Sequence, residues 1–284
     1  MHPARHIITV ALLLSCVGCT KFQVLNALIP PCGYHRTTDI PYGDQPRQRL
    51  DVYQPTHAKP NAPVVLFFYG GTWQYGKKAD YRFVAQSLAS KGFLTILPDY
   101  RLHPAVNFPA FVEDGARAVR WAYENAPRFG GDPQRLFLMG HSAGAHITTL
   151  LALDEHYLKD AGVDSSVIHG AIGLSGPYDF TPGGGSRAVF GMTSAASPVD
   201  PNIEPIHFAR KGAPPILLIH GQQDAIVAAD NAVHLADRLN EVGAHAQLIL
   251  YPKLGHVTVC LALAGPFRWI APILNDVAAF ISSH

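Results

Sequence analysis

The sequence predicts an α/β fold with a mostly parallel central sheet flanked by helices, and three observations carry that expectation. Six short apolar runs recur between residues 64 and 252. Amphipathic stretches long enough for crossover helices separate them, as parallel strands require. No repeat with a period of ~20–50 residues and no linker-like segment divides the chain, so one domain is expected.

Composition supports this. With 284 residues, 48% hydrophobic and 15% charged, the chain can fill a substantial core, which excludes disorder. Lys and Arg number 22 against 21 Asp and Glu, a formal charge of +1, and no basic run suggests a phosphate-tracking surface. Nucleic acid is therefore not an expected partner. No CxxC or clustered His/Cys spacing suggests zinc, and no metal or cofactor is expected.

The first residues read as a leader. "MHPARH" carries Arg5, and the following "IITVALLLSCVG" is apolar but too short for a comfortable membrane span. Its end, "LLLSCVGC", resembles the bacterial lipobox, in which cleavage precedes a cysteine that receives lipid. Residues 1–19 therefore read as a signal peptide, with Cys16 and Cys19 as the two candidates for lipid attachment. This implies export to the bacterial periplasm or outer surface on a lipid anchor, or a soluble secreted protein if cleavage falls elsewhere. Cys32 and Cys260 either pair in an oxidising compartment or sit apart as small apolar groups.

Next, "RTTDIPY" and "QRLDVYQP" read as an antiparallel hairpin on the sheet edge. The apolar runs "VVLFFY" (64–69), "FLTILP" (93–98), "LFLMG" (136–140), "GAIGLSG" (170–176), "PILLIHG" (215–221) and "AQLILYP" (246–252) read as strands buried on both faces. Helices are expected over 80–91, 108–126, 143–156 and 230–243, with a last one from about Phe267 to the end. The irregular stretch from about Pro177 to Pro215 is long enough to act as a small lid or pocket wall but too short for a separate cap domain.

Ligands of open α/β sheets sit beyond the carboxyl ends of the strands, so residues just after the predicted strands are the ones to inspect. Ser142 follows "LFLMG" in "GHSAG", Asp224 follows "PILLIHG", and His256 follows "AQLILYP". Singly, these read as a helix cap, a turn residue and a loop residue. Together, in the order Ser, Asp, His, they point to nucleophilic catalysis. A serine hydroxyl needs an imidazole to take its proton, and the imidazole needs a carboxylate on its other nitrogen to hold the tautomer. An oxyanion site completes such chemistry. Ala143 is positioned to supply one backbone N–H, and Gly71 and Thr72 of "FFYGGTWQYG" are the expected second source. The plain alternative is a glycine turn that merely links strand to helix. Trp73 and Tyr75 flank this turn, whereas Phe67 and Phe68 lie on the strand and are expected in the core.

The stretches "YGGTW", "PDYRL", "FGGDPQRLFLMGHSAGAH", "LSGPYD", "LLIHGQQDAIV" and "YPKLGHV" together resemble the esterase/lipase branch of the α/β-hydrolase superfamily with an HGG-type oxyanion motif. Within it the chain is similar to isoprenylcysteine methylesterases, feruloyl or acetyl esterases and kynurenine formamidases. The resemblance implies an α/β-hydrolase catalytic domain over residues 35–284 and a cofactor-free serine carboxylic ester hydrolase. The catalytic residues would be Ser142, Asp224 and His256, acting on a small-molecule ester. An arylformamidase-type amidase on the same triad is the alternative activity, and a non-catalytic surface binding module is a rival of another class, against which the intact Ser142, Asp224 and His256 argue. It places Asp99 and Arg101 of "PDYR" in a structural turn. One departure stands out: relatives usually carry histidine where this chain has Tyr69, which bears on loop support and substrate preference. Tyr69 and Trp73 are the expected substrate-contacting residues.

Overall fold

The computed structural model describes residues 21–57, 59–194 and 197–284. Cys16, Cys19 and the apolar run around them lie outside the described residues. The elements in chain order are α1 (Lys21–Ala27), β1 (Tyr34–Pro41), β2 (Arg49–Pro55), β3 (Ala62–Phe68), α2 (Arg82–Ala89), β4 (Leu94–Pro98) and α3 (Ala110–Asn125). There follow β5 (Gly131–His141), α4 (Ala143–Leu153), α5 (Glu155–Asp160), β6 (Ile168–Leu174), α6 (Ser186–Val189), β7 (Ile216–Gly221), α7 (Asp230–Glu241), β8 (Ala246–Tyr251), α8 (His256–Leu261) and α9 (Ile273–Ser283).

The eight strands form one sheet in the order β1-β2-β4-β3-β5-β6-β7-β8. The edge hairpin pairs antiparallel, β2 joins β4 antiparallel, and all pairs from β4 to β8 run parallel. Every residue of β4 and β7 is buried, because helices cover both faces. α2 and α9 touch each other, and α3 packs against α4 and α5. The chain leaves β3 toward β4 and returns to the other side of β3 at β5. That reversal opens a crevice beyond the carboxyl ends of β3 and β5.

Local chemistry explains where boundaries differ from expectation. The helix expected over 143–156 stops at Leu153, since Asp154 turns extended and its carboxylate caps α5 by accepting from the His156 N–H at 3.2 Å. The last helix starts at Ile273 rather than Phe267: Pro272 lacks an N–H and disfavours helical backbone at Ala271, so only a short 3₁₀ turn forms at Gly265–Phe267. α1 is an element the sequence reading did not assign. Cys32 is exposed and Cys260 buried, and both are free thiols. Among the described residues no helix is long and apolar enough to cross a membrane.

The stretch between Pro177 and Pro215 holds α6 and two short 3₁₀ turns. Aromatic packing ties it down. Phe190 lies 4.9 Å from Trp73 and Phe180 lies 5.7 Å from His146, ring centre to ring centre.

Candidate active site

The turn from β5 to α4 positions Ser142, the candidate nucleophile. Ser142 has φ 55° and ψ −122°, a region costing a non-glycine residue about 1–3 kcal/mol. Steric necessity accounts for the flanking glycines. A Cβ on Gly140 would lie 2.2 Å from the Gly144 carbonyl oxygen, and one on Gly144 would lie 2.0 Å from the Phe68 carbonyl oxygen. Backbone thus runs directly against backbone between β5, α4 and β3. The Ser142 N–H donates to Leu174 O at 2.9 Å, joining the turn to β6. The hydroxyl is not fully exposed as a free-standing group: Ser142 retains 8% of its surface, on the floor of the crevice.

The loops after β7 and β8 bring the other two residues to it. His256 Nε2 lies 2.8 Å from Ser142 Oγ, and His256 Nδ1 lies 2.8 Å from Asp224 Oδ2. With Nδ1–H donating to the carboxylate, Nε2 is free to accept the serine proton. Asp224 Oδ1 accepts from the N–H groups of Ile226 and Val227, both at 2.9 Å. Burial pushes the Asp224 carboxyl up, but the hydrogen bonds from His220, His256, Val227 and Ile226 outweigh it and hold it well below the usual carboxylate range.

Facing the serine is the glycine turn after β3. Gly71, Thr72 and Trp73 all have positive φ, at 134°, 51° and 57°. The Gln74 and Tyr75 N–H groups both close onto Gly71 O at 2.9 Å. The N–H groups of Gly71, Thr72 and Ala143 have no hydrogen-bond partner among the described residues. They are available to a developing oxyanion.

Two cavities reach Ser142. One, of about 250 Å³, is lined by Gly70, Gly71, Thr72 and His256 on the catalytic side and by Phe22 and Leu25 of α1 opposite. The other, of about 350 Å³, is lined by Trp73, Ala143, Pro177 and Phe180. Trp73 lines the second of these cavities. Tyr69 does not, which corrects the expectation of direct contact. It lines neither cavity and is fully buried beneath the turn, its ring stacked 4.6 Å from Tyr100. Its hydroxyl donates to Asp99 Oδ1 at 2.9 Å and accepts from Arg47 Nη2 at 2.8 Å. Asp99 also accepts from the Lys78 N–H at 2.7 Å, and Arg101 grips the buried Asp114 carboxylate, so both residues of "PDYR" are structural. Phe67 and Phe68 are core, and Tyr75 is exposed.

Residues 50–239 match the model of the BD-FAE family. The chain belongs to that family, within the α/β-hydrolase superfamily. This family member is 33% identical to a probable isoprenylcysteine alpha-carbonyl methylesterase of Arabidopsis thaliana, over 93% of this chain and 61% of that protein. It is likewise 33% identical to the esterase LipC of Mycobacterium tuberculosis, over 87% of this chain and 68% of that one. The chain thus spans about three-fifths of the plant relative's length. Its fold superposes on a truncated carbohydrate esterase from gut microbiota with a TM-score of 0.77 at 22% identity, covering 90% of this chain and 98% of that one.

Four further residues of this family member were not singled out in the sequence. His220, at the end of β7, places Nε2 3.2 Å from Asp224 Oδ2 and 3.0 Å from Val227 O. A carbonyl only accepts, so Nε2 carries the proton and is shared with the carboxylate. Its signal was present in "IHGQQD", a histidine four residues before the acid. His141 donates from Nε2 to the His256 carbonyl at 3.0 Å. Burial, then the neighbouring His256, push His141 down to about 3, so it stays neutral. Phe22 and Leu25 had no such signal, because they fall between the leader-like residues 1–19 and the first expected strand, in a stretch too short to show a period.

Proposed function

We propose that this BD-FAE protein is a serine hydrolase cleaving small or medium carboxylic esters through an acyl-enzyme intermediate. The observation that carries the reading is the pair of 2.8 Å links from Ser142 through His256 to Asp224, set opposite the unpartnered N–H groups of Gly71, Thr72 and Ala143. His256 takes the Ser142 proton as Oγ attacks the ester carbonyl, and the three N–H groups receive the negative oxygen. The proton then passes to the departing alkoxide, and water repeats the sequence in reverse to free the acid. Asp224 stays ionised and holds the imidazole in the productive tautomer.

The test is turnover of p-nitrophenyl esters together with labelling by a fluorophosphonate probe. Wild type should do both. Ser142→Ala should lose turnover by about 10⁴-fold or more and lose labelling, with its melting temperature nearly unchanged. Equal turnover in Ser142→Ala would falsify the assignment. A parallel panel of N-formyl aromatic amides decides whether the triad serves as an amidase instead, and absence of both labelling and turnover favours a binding module. We further propose export and lipidation at Cys16 or Cys19, supported by the apolar run and lipobox-like end of the leader. Intact-mass measurement of the native protein checks this: a product starting beyond Cys19 without lipid excludes the anchor.

A further inference from the structure

We propose that the cavity walled by α1 receives the leaving alcohol of the substrate, that this alcohol is apolar and of medium length, and that Phe22 and Leu25 set the length accepted. The inference rests on the ester-hydrolase reading above and adds to it a division of the substrate between the two cavities.

The division follows from where the proton must go. When the bond between the carbonyl carbon and the alcohol oxygen breaks, His256 Nε2 gives its proton to that oxygen, so the leaving group must exit on the imidazole side. Of the two cavities at Ser142, only the one walled by α1 is also lined by His256, with Val257, Cys260 and Leu261 of α8 continuing its wall. The other reaches Ser142 past Ala143 and runs under Trp73 and Phe180, with no imidazole on its lining. The acyl group is left there.

The α1 cavity dictates the chemistry of its occupant. Beyond the catalytic groups and the glycine turn, its walls are Phe22, Leu25, Tyr81, Phe83, Leu261 and their apolar neighbours, with the buried neutral His141 ring beside them and no charged side chain. At roughly 30 Å³ for each water-sized group, about 250 Å³ holds roughly eight such groups. An alcohol of about four to eight carbons, linear or carrying one ring, fills that space. Exposed Ile226 and Val257 extend the apolar rim outward.

α1 is docked well enough to serve as a wall. Asn26 Nδ2 donates to the carbonyls of Ala79 and Asp80, both at 3.0 Å, and Asn26 Oδ1 accepts from the Phe83 N–H at 3.2 Å. Arg82 donates to the Asn26 carbonyl and, at 3.1 Å, to that of Ile29. The Phe22 ring lies 5.2 Å from that of Tyr81. This docking aims Phe22 and Leu25 at the cavity from a helix about 120 residues before the nucleophile.

Two substrate series read the proposal: acetate esters with the alcohol lengthened from methyl to octyl, and esters of one short alcohol with the acyl chain lengthened over the same range. In wild type, kcat/KM across the first series should rise at least about tenfold from ethyl to hexyl. Phe22→Ala and Leu25→Ala should flatten that rise, leaving the profile of the acyl series in shape. Leu25→Trp should fill the cavity and move the optimum to shorter alcohols, an outcome that a loss of stability cannot imitate. Phe180→Ala should alter the acyl profile instead. An α1 substitution that reshapes the acyl profile, or leaves the alcohol profile intact in a folded variant, overturns the division. If wild type neither turns over any ester nor labels with fluorophosphonate, the ester-hydrolase reading fails. Labelling and turnover without dependence on alcohol length defeat this inference alone.

Discussion

Two glycine turns meet at Ser142; backbone contact excludes a Cβ at Gly71, 2.2 Å from Tyr75 O, as it does at Gly140 and Gly144, but only the turn after β3 also rests on a polar network. The turn after β5 is locked by contact: Gly140 and Gly144 leave no space for even a Cβ, since backbone of β3 and α4 already fills it. The turn after β3 is propped from beneath by polar groups. Arg47 donates to Tyr100 O at 2.6 Å, to the Tyr69 hydroxyl at 2.8 Å and to Gly76 O, while Asp99 receives Tyr69 and the Lys78 N–H. The Tyr69 ring fills the space under Gly76, where a Cβ would lie 2.9 Å from its edge. The elbow around Ser142 is thus fixed by sterics, whereas the turn carrying Gly71 and Thr72 depends on the Arg47, Tyr69 and Asp99 network as well.

The first prediction attacks the locked turn. Gly144→Ala should cost more than about 3 kcal/mol, because the new methyl meets backbone rather than a side chain that can rotate away. Thermal or urea unfolding of the variant checks it. A folded Gly144→Ala protein with wild-type stability would show that the elbow has slack and would end the comparison.

Next comes the propped turn. Tyr69→Ala removes both the packing under Gly76 and the partner of Arg47 and Asp99, so the donors drift. Displacement by about 1 Å costs about 10²-fold in kcat, with less effect on folding than Gly144→Ala. Tyr69→Phe and Tyr69→His keep the ring in place and should stay within about tenfold of wild type, or about 1.4 kcal/mol in the barrier. A 10²-fold loss in folded Tyr69→Phe would mean that the phenol acts on the substrate itself, against its burial away from both cavities.

The last effect is one of pH, read as a slope rather than as a single substitution, and it separates the two turns by charge. The elbow side carries buried neutral imidazoles: burial pushes His146 down to about 4 and His141 to about 3. Their unfolded counterparts titrate near ~6.5, so the unfolded state binds the extra protons first. Stability associated with each is complete above about pH 6.5 and declines as pH falls toward the folded value, by about 1.4 kcal/mol per pH unit per histidine inside that window. Urea unfolding between pH 7 and pH 4 should show this slope. His146→Gln, which keeps a donor for Ile203 O, should flatten it by one proton's worth. An unchanged slope in that variant would place the acid sensitivity elsewhere.

By itself the sequence determined what depends on neighbours along the chain. Apolar runs of strand length, the hairpin at the edge and the residues directly after each strand are local properties, so Ser142, Asp224 and His256 were legible before any contact was known. Ala143, Gly71 and Thr72 followed because backbone donors come with the turn itself. Only the tertiary structure decided what depends on which distant surfaces meet. Tyr69 sits on the end of a strand whose partners could have put it in the site or beneath it. Arg47, 22 residues earlier, settles that by reaching its hydroxyl. His220 was visible as a residue but not as a partner of Asp224 until the loop after β7 folded back on itself. α1 carries an ordinary apolar face that nothing in its own seven residues explains. Contacts from Asn26 to Ala79 and Asp80, more than 50 residues away, turn that face into a wall of the site. Local pattern specifies elements and their ends, whereas docking depends on shape and hydrogen-bond complementarity between segments that no short window contains.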